Sequence, residues 1–147
     1  MIDQNGDVKV LEYNCRFGDP ETQPIMMRLQ SNLAKLCILG ARGSLADVTA
    51  EWDSRSSLGV VMAAKGYPNS YQKGDLISLP GPSSSAKVFH AGTKLHNEKI
   101  LSNGGRVLCA TSLGKDLSTT FRQCVADDEK SVRSASQMCR HTLATHW

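Results

Sequence analysis

Glu12, Asn14 and Arg16 stand at alternate positions in the stretch LEYNCRFGDPETQP, Leu11 to Pro24. In an extended chain alternate side chains share a face, with Cα atoms ~7 Å apart, so a carboxylate and an amide oxygen converge on a hard cation held above them. Where the extended conformation persists, Arg16 points the same way and offers a fixed fork to a phosphate or a carboxylate. An acid, a neutral oxygen donor and a guanidinium together make a metal-phosphate site. The alternative needs no ligand: Glu12 and Arg16 form a solvated ion pair at a strand end, and Asn14 begins a turn. Gly18-Asp19-Pro20 follows as a tight turn.

The elements that must position these residues are legible around them. From Val8 the alternation puts Val8, Val10, Glu12 and Asn14 on one strand face, and Lys9, Leu11 and Tyr13 on the other. Asn5-Gly6 ahead of that strand is a hairpin signal of type I′, because both residues tolerate positive φ. The strand before it is so short that the chain reads as a fragment entered in the middle of a sheet. Pro24 suits the first turn of a helix, and Met26, Leu29, Leu33, Leu36 and Cys37 recur on one helical face until Gly40, which predicts a single scaffold helix. Residues 42–55 read as a short polar helix or connection with Trp52 as a packing anchor. Leu58 to Ala64, Lys87 to Thr93 and Arg106 to Thr111 read as strands, with Gly81 to Ser85 a surface loop and Asn103-Gly104-Gly105 a turn. His90 is read as a packed or hydrogen-bonded histidine, and Lys65 and Arg106 as solvated charges or as neighbours of a substrate cleft.

Composition sets the outer limits. The chain has 147 residues, 40% of them hydrophobic and 21% charged, which describes an ordinary soluble globular chain. Its formal charge of +3 is spread out with no basic stripe, so nucleic acid is not the favoured partner. Cys15, Cys37, Cys109, Cys124 and Cys139 are odd in number and form no C-x-x-C pair, which argues for reduced thiols and against disulfides or zinc. Neither a signal peptide nor an apolar run of the ~20 residues that cross a bilayer is present, so a cytoplasmic location with no membrane partner is expected.

Glu-x-Asn-x-Arg at a strand end resembles the metal-binding end of ATP-grasp ligases. Its continuation, Arg16-Phe17-Gly18-Asp19-Pro20-Glu21-Thr22-Gln23, resembles the long and specific signature of one family, glycinamide ribonucleotide synthetase (phosphoribosylamine-glycine ligase). The resemblance continues in order and spacing through Ser57-Leu58-Gly59-Val60-Val61-Met62-Ala63-Ala64-Lys65-Gly66-Tyr67-Pro68, Lys87-Val88-Phe89-His90-Ala91-Gly92-Thr93-Lys94 and Asn103-Gly104-Gly105-Arg106-Val107-Leu108, covering residues 1 to about 115. It implies the second step of de novo purine synthesis, in which ATP activates glycine and 5-phosphoribosylamine attacks to give glycinamide ribonucleotide, ADP and phosphate. It further implies Glu12 and Asn14 as ligands of Mg2+ or Mn2+, ATP as co-substrate, and Arg16 as the catalytic cation facing the transferred phosphoryl group or a substrate anion. Asp19 and Glu21 either touch substrate or orient Arg16.

The fold that follows is α/β (α+β): residues 1–56 as the end of an ATP-grasp domain with the metal-binding strand, then residues 57–147 as a small β-rich C-terminal domain with a terminal helix. The N-terminal part of the same chain is the expected missing partner. The tail, 115–147, departs from the family. Members finish with a Cys-Arg-x-Asp-Ile-Gly-like segment, whereas this chain has Cys139-Arg140-His141-Thr142-Leu143-Ala144-Thr145. Loss of one G from GAC-ATT-GGC-TAC yields Thr-Leu-Ala-Thr, so a frameshift is one reading of the tail, and resequencing the gene tests it. The competing functional reading is a non-catalytic binding or structural module derived from the ligase; an unrelated acid- or nucleotide-binding protein is a third. Whether the upstream reading frame continues into nucleotide-binding elements separates the first two.

Overall fold

The computed structural model describes residues 2–11 and 15–120 in full and the backbone of residues 138–145. Two short helices precede seven strands: α1 (Thr22–Arg28), α2 (Leu33–Ala41), β1 (Ser56–Ala64), β2 (Leu76–Ile77), β3 (Ala86–His90), β4 (Thr93–His96), β5 (Lys99–Ser102), β6 (Arg106–Gly114) and β7 (Met138–Thr145). The expected mixture of helices and a β-rich module is what the chain forms. One antiparallel sheet has the order β3-β6-β1-β7, and a smaller antiparallel sheet has the order β2-β5-β4.

β1 and β6 are the centre of the larger sheet, paired from Ser56↔Gly114 through Val61↔Cys109 to an irregularity after Met62. Every residue of β1 is buried, so both faces of the strand are covered and its apolar run needs no alternation. Met62, Ala64, Val107 and Leu108 meet Ile77 of the smaller sheet in the main core, with Tyr71, Val88 and Ile100 packed around them.

On the other face lies α1. Pro24 is fully buried, and a Cβ built on Gly59 would stand 2.9 Å from its ring and 3.1 Å from Cys109 Sγ. The absent side chain at Gly59 is what lets the helix sit on the sheet. Gly59→Ala is therefore expected to destabilise the fold by about 1–3 kcal/mol, because neither the proline ring nor the buried sulfur can move aside cheaply. Chemical denaturation of the two proteins checks this, and equal midpoints would mean that α1 is not seated there.

The single helix expected from Pro24 to Gly40 is two. Leu29 leaves helical geometry and pairs with Trp52 in an isolated antiparallel bridge, with Gln30 N–H donating to Glu51 O at 2.9 Å and Asp53 N–H to Arg28 O at 2.7 Å. Asn32 then starts α2 by accepting from Lys35 N–H at 3.0 Å, a side-chain cap of the usual kind. Trp52 contributes backbone pairing and not burial, being half exposed. The returning segment is held by Arg55, whose hydrogen-bonded guanidinium lowers the Asp53 carboxyl to about 2.

Four further expectations change in detail. The Asn5-Gly6 turn is not type I′: among the described residues only Asn97 and Glu98 carry positive φ without being glycine, so Asn5 does not. Gly6 N–H instead donates to Asp3 O, and Asp3 N–H to Asp7 O, with Gly6 alone at positive φ, the form of a turn followed by a bulge glycine. From Val8 the chain makes one bridge to Ile2, and residues 9–11 belong to none of the described strands. The strand expected from Lys87 to Thr93 breaks at Gly92, which packs on Gly104 so closely that a Cβ would stand 2.6 Å from its Cα, and there the chain passes from the larger sheet to the smaller. At the far end, residues 117–120 begin a helical turn, 121–137 lie outside the described residues, and Met138–Thr145 closes the larger sheet as β7 where a terminal helix was expected.

Candidate active site

The signature stretch is draped over the larger sheet by local chemistry. Gly18 is buried with the Glu21 carboxylate against its Cα, where a Cβ would clash, and Thr22 Oγ1 donates to the Gly18 carbonyl. The Asp19-Pro20 peptide is cis, as is Tyr67-Pro68. Glu21 O accepts from Ile25 N–H at 3.2 Å, which leads directly into α1 and its buried Pro24. The turn between Arg16 and α1 is thereby built from its own residues and anchored on β1 and β6. Gln23 Oε1 is buried in this stretch and finds no hydrogen-bond partner among the described residues.

Arg106, at the start of β6, reaches the same turn. Its Nη1 donates to the Asp19 carbonyl at 3.1 Å, and its Nη2 stands 3.1 Å from Asp19 Oδ2. One guanidinium thus grips both the backbone and the carboxylate of a single turn residue. The sequence allows Arg106 to be a solvated charge or a neighbour of a cleft; the pairing joins positions too far apart for any local spacing to show. Beneath the turn, burial pushes the Cys109 thiol up, a hydrogen bond with Thr111 partly opposes this, and the Asp19 carboxylate adds to the rise. The thiol stays protonated near neutrality and offers no nucleophile.

Of the residues proposed for chemistry, Arg16 is exposed beside this turn, while Glu12 and Asn14 lie outside the described residues. Their donor types, a carboxylate and an amide oxygen, suit a hard divalent cation such as magnesium or manganese. Among the described residues no group of three or more His, Cys, Asp or Glu side chains could hold a metal ion. His90 is exposed with Nδ1 3.0 Å from Thr93 Oγ1, in line with a hydrogen-bonded histidine, and Lys65 is exposed. A cleft of about 500 Å³ runs beside β3, between Met27, Leu79, Pro82, Lys87 and Thr111, and none of residues 16–23 lines it. No described helix is long and apolar enough to cross a membrane.

Residues 57–146 match the family model described as phosphoribosylglycinamide synthetase, C domain. Among curated proteins the chain is 60% identical over 116 residues to the phosphoribosylamine-glycine ligase of Vibrio cholerae, covering 78% of this chain and 27% of that protein. It is 54% identical over 129 residues to the Escherichia coli K12 protein of the same name, covering 86% and 30%. The crystal structure of phosphoribosylamine-glycine ligase from Thermotoga maritima superposes with a TM-score of 0.70 at 29% identity, over 98% of this chain and 34% of that one. The chain thus spans less than a third of the length of the curated relatives described here. With a matching family model over more than half its residues and the same fold in a solved relative, this chain belongs to the phosphoribosylglycinamide synthetase family and carries its C domain.

Proposed function

We propose that the chain is the C-terminal part of a cytoplasmic ATP-dependent ligase that joins glycine to 5-phosphoribosylamine, giving glycinamide ribonucleotide, ADP and phosphate. The observation that carries this is 54–60% identity to proteins named phosphoribosylamine-glycine ligase. Residues 1–56 serve as the closing part of an ATP-grasp domain and residues 57–147 as the C-terminal domain of the ligase.

In the proposed reaction a glycine carboxylate oxygen attacks the γ-phosphorus of ATP, the bond to the bridging oxygen breaks, and ADP leaves. The amine of phosphoribosylamine then attacks the acyl phosphate, an amide forms, and phosphate leaves with the proton lost to solvent or base. A divalent cation, magnesium or manganese, supplies charge neutralisation on the ATP phosphates when bound. Glu12 and Asn14 are the residues that would hold it. Arg16 places a permanent cation where negative charge builds on the transferred phosphoryl group, a role that depends on fixed position more than on covalent chemistry.

The full-length protein encoded by the gene, supplied with ATP, magnesium, glycine and freshly generated phosphoribosylamine, is expected to release ADP and form glycinamide ribonucleotide in equal amounts. ADP release that needs neither glycine nor phosphoribosylamine, with no glycinamide ribonucleotide formed, would overturn the proposal.

A further inference from the structure

We infer that Arg106 is a positioning residue for the proposed ligase reaction: it sets the Gly18-Asp19-Pro20 turn, and through it Arg16, from the rigid end of the C-terminal sheet. The inference rests on the ligation reading given above and adds a residue that acts without touching substrate.

The geometry has two halves. On the side of the turn, the guanidinium donates to the Asp19 carbonyl and pairs with the Asp19 carboxylate, both at 3.1 Å, so it fixes the position of the peptide and the direction of the side chain together. A lysine ammonium, as a point charge, could hold one of these contacts but not both with the same planar fork. Asp19 lies three residues after Arg16. Between them stand only Phe17 and the buried Gly18, so Arg16 lies a short distance along the chain from the gripped residue.

On the side of the sheet, the Arg106 backbone is held from several directions. Its carbonyl accepts from Gly92 N–H at 2.8 Å, Gly105 O accepts from Ala64 N–H at 2.7 Å, and Asn103 N–H donates to Gly92 O at 2.7 Å. Gly105 lies directly under the Tyr67 ring, with Tyr71 packed next to it. Val107, the next residue, is completely buried in the main core. The base of the side chain is therefore rigid even though its head is partly exposed. A half-exposed ion pair contributes little stability. Its value here is placement, since phosphoryl transfer loses rate steeply when a charged group is displaced by about an ångström.

The test uses the full-length protein with Arg106→Ala, Arg106→Lys, Asp19→Ala and the Arg106→Ala/Asp19→Ala double variant. Arg106→Ala is expected to lower kcat about tenfold and raise the magnesium concentration for half-maximal rate, with the melting temperature nearly unchanged. Arg106→Lys should recover part of the loss. The double variant should lose no more than the worse single variant, because both changes sever one connection. Losses that multiply in the double variant, or kcat unchanged in both Arg106 variants while the parent is active, would overturn the inference. A fall in kcat that follows only the folded fraction, at unchanged magnesium dependence, would also overturn it. A parent protein that forms no glycinamide ribonucleotide would instead overturn the ligation reading, and this inference with it.

Discussion

Glu12→Gln in the full-length protein is expected to raise the magnesium concentration needed for half-maximal glycinamide ribonucleotide formation by at least about tenfold, an effect of the size seen when the surroundings of a metal ligand are altered. The carboxylate is the charged member of the proposed donor pair, and a hard cation loses both charge neutralisation and a strong oxygen ligand when it becomes an amide. Asn14→Ala removes the second oxygen and should act in the same direction with a smaller effect, since a neutral donor contributes less. Neither change should cost more than about 0.5 kcal/mol of stability if these side chains serve the metal rather than the packing of the fold. Activity at limiting magnesium is the measurement, with thermal melting alongside. An unchanged magnesium dependence in both variants would return Glu12 and Arg16 to the solvated ion pair that the bare strand pattern also allows.

The parts of the fold that were readable are those where local chemistry and tertiary context agree. β1 and β6 are long apolar runs between turn residues, and burial on both faces only reinforces what their composition favours. The misread elements are those where a distant partner decides. Leu29 continues the apolar period of α1, yet its backbone bonds across to Trp52, and no spacing within residues 22–41 signals a partner that far along the chain. Gly92 ends β3 because Gly104 approaches it, a contact made by folding and invisible in the β-compatible run from Lys87. The β4-β5 hairpin is not legible in the sequence for a different reason. Its two-residue loop is Asn97-Glu98, both at positive φ, and a glutamate lacks the glycine that usually marks such a turn.

The candidate site divides in the same way. The signature around Arg16 is a dense set of special residues in one segment, so it was legible without any structure. Its support was not. Pro24 on Gly59 and Arg106 on Asp19 each join residues widely separated in the chain, and an arginine after a Gly-Gly turn has no sequence mark that distinguishes a clamp from a solvated charge.

The 147 residues alone are expected to form no detectable glycinamide ribonucleotide with ATP, magnesium, glycine and phosphoribosylamine present. The chain spans less than a third of the length of the Vibrio cholerae and Escherichia coli relatives, so under the proposed function it holds one side of a nucleotide clamp. Catalysis of phosphoryl transfer comes almost entirely from groups preorganised around the phosphates, and under the proposed function Arg16 with the proposed ligands Glu12 and Asn14 cannot surround them alone. The apolar surface points the same way. Val8 is 80% exposed, Leu11 71% and Ile2 69%, and α2 buries none of its residues although its sequence, LAKLCILGA, is largely apolar. Surfaces of this kind drive association when nothing covers them. The isolated polypeptide should therefore self-associate in sedimentation experiments at concentrations where an ordinary domain of its size stays monomeric. A well-behaved monomer that makes glycinamide ribonucleotide would contradict both expectations, and would require the whole nucleotide site to be assembled from these residues.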